Sequence, residues 1–397
     1  MSLTARTTVR PAPPEPATAA EMRRRAEALV PLLRERAVET DRERRVSREV
    51  YDRLCEEGFF HLLKPRRYGG FELTDHDHAM VTMTLARGCA STAWVFSILS
   101  SDNLGVLAFP QEVQEEIWGV DTYATLAGNL NVDPRATTTR VDGGYLVTGR
   151  WGFCSGSDFS DWLILNAPVD GVGHMFLLRN EEAEMIDDWY PTGMRGTGSR
   201  SQSVTEVFVP DRRVMVAADI VHALEARRAL HPEFDALYAT YPPTGRFSFA
   251  ATAVGAARGA MEFFAETVGS STRVTNALGG ESRLVEQDYV ATEFAESAAE
   301  IEAAWTIVEE RSRTASERAR QRREATEAES AREMRDNAMV TRMSLRAVQR
   351  LAALIGSKTG SNDHPVTRAR RDIEMASHHV TLNWREASVR YLRAVAG

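Results

Sequence analysis

Hydrophobic positions recur with two different periods along the chain, and the change of period divides it into three parts. In residues 19–121 apolar side chains are spaced by three or four positions, which predicts an N-terminal domain of amphipathic helices. In residues 122–225 short alternating runs are interrupted by Gly, Asp-Gly and Pro, which predicts a middle domain of β-strands, a small barrel or sandwich. Residues 226–397 return to the helical period and predict a C-terminal helical bundle.

The predicted fold is therefore mostly α with a central β domain. Residues 1–18 are rich in Pro, Thr and Ala and are expected to form a disordered tail. Four long stretches of the C-terminal part carry the helical period: Phe247–Val268, Glu286–Ala325, Ser330–Ile355 and Val366–Ala394.

Composition narrows the possible functions. The hydrophobic and charged fractions, 43% and 26%, are ordinary for a soluble globular protein, and a net charge of −8 gives no reason to expect nucleic acid. No apolar run reaches ~18 residues and no signal peptide is visible, so we expect a cytoplasmic protein without a membrane span. The three cysteines form no CxxC pair, and His61, His76 and His78 lack a convincing further ligand, so no metal site is predicted.

The stretch from Gly143 to Trp162 combines two strand patterns with a loop of small residues between aromatics. Trp151 and Phe153 offer flat apolar faces, while Ser155 and the backbone beside it offer polar groups. Such a loop suits a planar ligand at the rim of a sheet. The alternative is a buried β-hairpin with ordinary core aromatics, and this stretch alone does not separate the two.

Short motifs in a fixed order extend over nearly the whole chain from about residue 20. They include Ser91-Thr92-Ala93-Trp94, Phe109-Pro110-Gln111-Glu112, Gly149-Arg150-Trp151-Gly152-Phe153-Cys154-Ser155-Gly156, Met194-Arg195-Gly196-Thr197-Gly198-Ser199, Asp363-His364-Pro365 and His379-Val380-Thr381-Leu382-Asn383. In this order and spacing the chain resembles the acyl-CoA dehydrogenase superfamily. Within it, the motifs resemble the group D two-component flavin-dependent monooxygenases, the branch of aromatic hydroxylases and natural-product oxygenases.

The resemblance implies an acyl-CoA dehydrogenase-like fold and a specific division of labour. A separate NAD(P)H-dependent flavin reductase would supply reduced FMN or FAD, and O2 would convert it to a flavin C4a-hydroperoxide. One oxygen atom would then pass to a small aromatic or polyketide-type substrate. The chain has no GxGxxG motif opening a βαβ unit, which agrees with a protein that does not bind NAD(P)H itself. The family's habit of assembly predicts a homotetramer.

The resemblance also assigns the flavin site. Ser155 corresponds to the hydroxyl near the flavin N5 edge, Trp151 and Phe153 would exclude water, and Gly156 belongs to the same turn. The alternative for Ser155 is a turn serine that bonds its own backbone.

A second glycine-spaced loop carries Arg195, Thr197 and Ser199, which suit the flavin edge or its phosphate. The alternative is a β-turn with a surface arginine. Arg273 loosely matches an arginine that reaches a flavin phosphate across a subunit interface.

His379 is the predicted acid–base residue. The segment matches the one that carries the catalytic glutamate of acyl-CoA dehydrogenases, but Val380 stands at that position. A histidine would instead deprotonate a phenol, whose pKa of about 10 requires a base near neutral pH. With both residues on the last helix, His378 would lie ~100° from His379. The alternative is a solvated or capping histidine pair near a helix end.

Substrate contacts are predicted at Asp102, Asn103, Glu374 and His378. Relatives often carry histidine where Asp102 and Glu374 stand, so this chain has two carboxylates in their place. That favours a substrate with a cationic or hydrogen-bond-donating group, and N-oxygenation of an amine or amino sugar is the nearest rival to hydroxylation. A helix-end carboxylate is the alternative for Asp102. Two other hypotheses are an acyl-CoA dehydrogenase and a non-catalytic scaffold with a flavin-binding fold.

Overall fold

A computed structural model describes residues 14–239, 247–274 and 281–396. Its helices are α1 (Ala19–Glu43), α2 (Arg48–Glu56), α3 (Asp75–Ala86), α4 (Ala90–Ser101), α5 (Asn103–Val106), α6 (Gln111–Gln114), α7 (Ile220–Arg227), α8 (Ser248–Val268), α9 (Asp288–Arg320), α10 (Glu327–Ile355), α11 (Pro365–Ser377) and α12 (Trp384–Ala396). Most of the predicted tail lies outside the described residues, and the predicted domain boundaries stay predictions. Within the described part no helix is long and apolar enough to cross a bilayer.

The strands lie mainly between the two helical parts. They are β1 (Leu126–Val132), β2 (Thr137–Val141), β3 (Gly144–Trp151), β4 (Trp162–Val169), β5 (Val172–Arg179), β6 (Glu184–Ile186), β7 (Ser201–Pro210), β8 (Val214–Val216), β9 (Thr272–Val274) and β10 (Glu281–Arg283). One four-stranded sheet has the order β1-β4-β5-β8 and the other β2-β3-β7-β6, while β9 and β10 form a separate antiparallel ribbon. The predicted mostly α fold with a central β domain is confirmed.

Local signals explain where several helices begin. Ser47 is the N-cap of α2, because its hydroxyl accepts the Val50 N–H at 3.3 Å. Thr326 starts α10 with a capping box: its hydroxyl accepts the Glu329 N–H, and the Glu329 carboxylate accepts the Thr326 N–H. These side chains satisfy N–H groups that a helix start leaves without a partner in the helix.

Two hydrophobic cores meet at α4. Val95, Phe96 and Leu99 belong to a core shared by the N-terminal helices and the strands. Ala90 and Trp94 belong to a second core built with the C-terminal helices. Because α4 packs on both sides, its position fixes how the β domain and the helical bundle approach each other.

The C-terminal end differs from the prediction. The expected helix Val366–Ala394 is two helices, since α11 ends at Ser377 and α12 begins at Trp384. His379 is extended, with φ −64° and ψ 139°, and it precedes a 3-10 turn at Val380–Leu382. The prediction that His378 and His379 lie on one helix is therefore wrong. The break lets the His379 ring turn inward against buried aromatics of α4 and α8.

Candidate active site

One strip of helix α4 remains open to solvent. Of the residues of α4, only Ile98 is not buried, and Asp102, one turn later, is also half-buried. Trp94 lies one turn before Ile98 and keeps 7% of its surface exposed. Residues four apart share a face of a helix, so these three positions form one continuous strip.

Three side chains from distant parts of the chain form an aromatic box at this strip. The rings of Trp94 and Phe249 are stacked, with centroids 4.2 Å apart and planes inclined by 22°. The His379 ring lies 4.3 Å from Phe249 and 5.6 Å from Trp94. The box, defined as Trp94, Phe249 and His379, thus joins α4, the first turn of α8 and the break between α11 and α12. Flat walls of this kind suit an aromatic ligand.

The imidazole of His379 is held at one nitrogen. Its Nδ1 accepts the Thr381 backbone N–H at 3.3 Å and lies 2.8 Å from the Thr381 hydroxyl oxygen. Burial lowers the pKa of His379 to about 4, so the ring is neutral at ordinary working pH. No residue in the described part of the chain bonds Nε2, which leaves that atom available to a ligand.

On the other side of the strip, the turn after β3 presents one exposed aromatic. Phe153 has φ +59° and is 66% exposed, and its ring stands edge-on to Trp189 at 5.6 Å. Trp151, by contrast, is buried in the core of the β domain, where its indole N–H donates to the Asn166 carbonyl at 2.9 Å. Of these two predicted aromatics, Phe153 is the one that a ligand can reach.

Three buried hydroxyls behind this turn form a chain of hydrogen bonds, which we call the hydroxyl relay (Ser155, Ser199 and Thr197). The Ser155 and Ser199 oxygens are 2.6 Å apart, and so are the Ser199 and Thr197 oxygens. Thr197 donates to the Met194 carbonyl at 2.8 Å. Gly198, with φ +57°, allows the sharp turn that brings both loop hydroxyls to the same side.

The turn and the box flank the open strip. A Cβ on Gly156, next to Ser155, would lie 3.1 Å from the Leu99 side chain of α4. On a helical projection, Ile98 falls between Leu99 and Trp94. The strip therefore lies between the Ser155 turn and the aromatic box, as a two-sided site requires.

The loop that carries Thr197 and Ser199 is tied to both helical parts. Arg195 donates to the Asp41 carbonyl at the end of α1 and to the Pro191 carbonyl, both at 3.1 Å. The buried carboxylate of Asp372 on α11 accepts the Met194 N–H at 2.6 Å, and burial raises its pKa to about 6. Arg195 is thus engaged in holding the loop, and its predicted flavin contact stays a prediction.

Asp102 is an unusual carboxyl group. Burial raises its pKa to about 7, and its side chain has no hydrogen-bond or ion-pair partner among the residues that the structure describes. The next residue, Asn103, is fully buried and donates to the Phe60 carbonyl at 3.2 Å, while its Oδ1 has no partner there. Asn103 therefore fixes the end of α4, and Asp102 is left available.

Other predicted residues lie elsewhere. Glu374 and His378 are exposed near the end of α11, outside the box. The side chain of Arg273 lies outside the described residues. In the part of the chain that the structure describes, no three His, Cys, Asp or Glu side chains are grouped to hold a metal ion.

Sequence reasoning missed the pairing of Trp94 with Phe249. Trp94 belongs to the motif Ser91-Thr92-Ala93-Trp94. Phe249 belongs to no motif and stands at the start of a helix rich in alanine, where an aromatic is an ordinary core residue. The two come together only through the packing of α4 against α8, and no local signal predicts that contact.

Comparison with known proteins places the chain among enzymes. The family models for the acyl-CoA dehydrogenase N-terminal and C-terminal domains match residues 17–120 and 247–384. The oxygenase subunit HsaA of a flavin-dependent monooxygenase from Rhodococcus jostii is 35% identical over 71% of this chain and 73% of its own length. The oxygenase component of the FADH2-dependent resorcinol hydroxylase from a Rhizobium species is 30% identical over 91% of this chain and 90% of its own. The crystal structure of HsaA from Mycobacterium tuberculosis matches with a TM-score of 0.84 at 30% identity, covering 94% of this chain and 97% of that one.

Proposed function

Because this chain belongs to the oxygenase components of flavin-dependent monooxygenases with the acyl-CoA dehydrogenase fold, we propose that it hydroxylates a small aromatic substrate held in the aromatic box. The family and the class of activity predicted from the sequence are confirmed, as is the dependence on reduced flavin and O2. Relatives named oxygenase components act with a separate reductase, and we propose the same for this chain. The homotetramer stays a prediction.

The proposal rests on one observation: two different surfaces lie on opposite sides of the α4 strip. One side offers the Ser155 hydroxyl and the exposed ring of Phe153, which fit the polar edge and the flat face of a flavin ring. The other offers the Trp94–Phe249 stack and the neutral ring of His379, which fit an aromatic substrate. When bound, reduced flavin supplies the activation of O2. The chain's own residues hold the substrate ring next to it and exclude water.

His379 is the residue that we propose to exchange a proton with the substrate. Its Nε2 has no hydrogen-bond partner among the described residues. The hydrogen bonds between Nδ1 and Thr381 determine whether Nε2 carries a hydrogen. If the Thr381 hydroxyl donates to Nδ1, Nε2 holds a proton and can donate it. In the structure Nδ1 accepts the Thr381 backbone N–H, so Nε2 carries the hydrogen. Before Nε2 can accept the phenol proton, the ring must change to the tautomer in which Nδ1–H donates to the Thr381 oxygen.

The test is single-turnover hydroxylation. Protein with chemically reduced FMN or FAD is mixed with 18O2 and a panel of phenols, and 18O in the product is measured by mass spectrometry. We expect Phe249→Leu to raise KM roughly tenfold through the lost aromatic stack. The matched control is Phe264→Leu, which removes a buried ring about 22 Å further along the same helix. No 18O in any product, or equal effects of the two variants, would contradict the proposal.

A second candidate is N-oxygenation of an amine, and Asp102 favours it. A protonated amine would supply the partner that this carboxyl group lacks, and ion pairing would bring its pKa back toward the usual range. The same panel extended with primary amines decides between the two. If amines bind, their affinity should rise as the pH passes upward through about 7, and Asp102→Asn should abolish that rise while leaving phenol binding in place.

A further inference from the structure

We propose that Thr197 and Ser199 are positioning residues that fix the Ser155 hydroxyl as a hydrogen-bond acceptor, and that this makes the site selective for reduced over oxidised flavin. The proposal deepens the function proposed above and rests on it. It also changes the expected roles of Thr197 and Ser199, because their hydroxyls act through Ser155 and do not themselves contact the flavin.

The direction of the relay follows from its last member. A carbonyl oxygen can only accept, so the single hydrogen of the Thr197 hydroxyl is donated to the Met194 carbonyl. Thr197 can then only accept from Ser199, and Ser199 can only accept from Ser155. The Ser155 hydrogen is therefore directed inward, and its remaining lone pair is what the oxygen offers to a ligand.

The relay has little freedom to reverse. Ser155, Ser199 and Thr197 are only 7%, 3% and 2% exposed, so water does not compete for their hydrogens. The Met194 carbonyl also accepts the Thr197 N–H at 3.2 Å and the Trp189 indole N–H at 3.3 Å, which confirms it as a fixed acceptor.

Met194 and the turn that follows it are both held by carboxylates. The Met194 N–H is bound by the buried Asp372 of α11 at 2.6 Å. Across the loop, a Cβ on Gly198 would lie 2.1 Å from the Asp158 carboxylate, so no larger residue fits the turn between the two loop hydroxyls. The Thr197 end of the relay and the turn between Thr197 and Ser199 are thus fixed by the fold before any ligand binds.

An acceptor at this position distinguishes the two redox states of a flavin. The central-ring nitrogen N5 of a reduced flavin carries hydrogen and donates, whereas N5 of an oxidised flavin has a lone pair and only accepts. A fixed acceptor forms a hydrogen bond with the N5–H of reduced flavin. It forms none with N5 of oxidised flavin, because that atom is itself an acceptor. An oxygenase that receives its flavin reduced and must release it oxidised would use such a contact in both steps.

The experiment measures the dissociation constants of reduced and oxidised flavin separately, under nitrogen and in air, by fluorescence titration. The quantity of interest is the ratio of the oxidised to the reduced value. Thr197→Val removes the relay's inner hydrogen and lets Ser199 and Ser155 turn outward, so the ratio should fall about fivefold or more. Ser199→Ala frees Ser155 in the same way and should also lower the ratio, whereas Thr197→Ser keeps the hydroxyl and should restore it.

Ser157→Ala is the matched control. Its hydroxyl is equally buried in the same turn but accepts from Gln202 at 2.9 Å, outside the relay, so the ratio should not change. A folded Ser199→Ala or Thr197→Val protein with the wild-type ratio would overturn the proposal. Failure of the wild-type protein to bind either redox state would instead refute the proposed function, so the two failures are distinguishable.

Discussion

The free energy of unfolding should depend on pH through Asp102, and the direction is fixed by its raised pKa. Folding moves the pKa of this carboxyl group from its ordinary 3.8 to about 7. Between these two values the folded state binds a proton that the unfolded state has released, so stability falls as the pH rises. Below pH 3.8 Asp102 is protonated in both states. Above about pH 7 it is ionised in both states, and the free energy of unfolding falls no further.

The magnitude follows from the shift. Each pKa unit is worth about 1.4 kcal/mol, so ionisation of half-buried Asp102 destabilises the fold by roughly 1 to 2 kcal/mol at pH 5 and roughly 4 kcal/mol at pH 8. Asp102→Asn keeps the shape and removes the charge. The variant should therefore gain roughly 3 kcal/mol over wild type between these two pH values, or roughly 3 to 4 °C in Tm for a chain of this length.

The assay is thermal unfolding of both proteins without ligand at pH 5 and pH 8, followed by circular dichroism. The difference in Tm between variant and wild type must grow with pH, because only the wild type carries the group that titrates. Asp121→Asn, a change of the same chemistry at another half-buried carboxyl, before β1, is the control for the loss of a carboxylate as such. An equal difference at both pH values, or one that shrinks with rising pH, would refute the reasoning.

Two further predictions concern the stability of the fold, one at the loop of the candidate site and one between α9 and α10. Gly198→Ala should lower stability by at least about 1 to 2 kcal/mol in chemical denaturation, because a side chain there is strained at φ +57° and meets the Asp158 carboxylate; a neutral effect would mean that the loop can rearrange. Arg318→Met should cost about 3 to 5 kcal/mol, because it leaves Glu333, its partner at 2.7 Å, buried without a counter-charge. Adding Glu333→Leu should recover most of that loss, and an additive further loss would contradict this explanation.

Local pattern predicted most of the architecture because its causes are local. The apolar spacing in α8 and α10 and the Ser47 cap of α2 are read within a few residues, and the structure has them where the pattern indicates. The break after Ser377 is different. Residues 366–394 keep a helical period on both sides of it, and the break accompanies a contact of the His379 ring with aromatics from other helices, which a local pattern does not contain.

The candidate site likewise has one part that local sequence pattern predicts, the hydroxyl relay loops, and one part that it does not predict, the aromatic box. Ser155, Thr197 and Ser199 were predicted because each stands in a glycine-spaced loop that carries a family motif. Their hydrogen bonds to one another were not predicted, since β-strand pairing between β3 and β7 brings the two loops together. The partner of Trp94 was not predicted at all.

The acid–base role of His379 is constrained by a comparison of two pKa values. A phenol holds its proton with a pKa of about 10, whereas burial sets the pKa of His379 to about 4. Complete transfer of the proton before reaction would therefore be uphill by about six pKa units, or roughly 8 kcal/mol. That cost would take up about half of the ~16 kcal/mol barrier that corresponds to an ordinary turnover rate. We therefore expect His379 to be neutral in the resting complex, and we expect the proton transfer proposed for it to be coupled to the reaction at the substrate ring. The pH dependence of catalysis between 5 and 8 then reports on Asp102, with a pKa of about 7, and on Asp372, with a pKa of about 6, and not on His379, whose pKa is about 4.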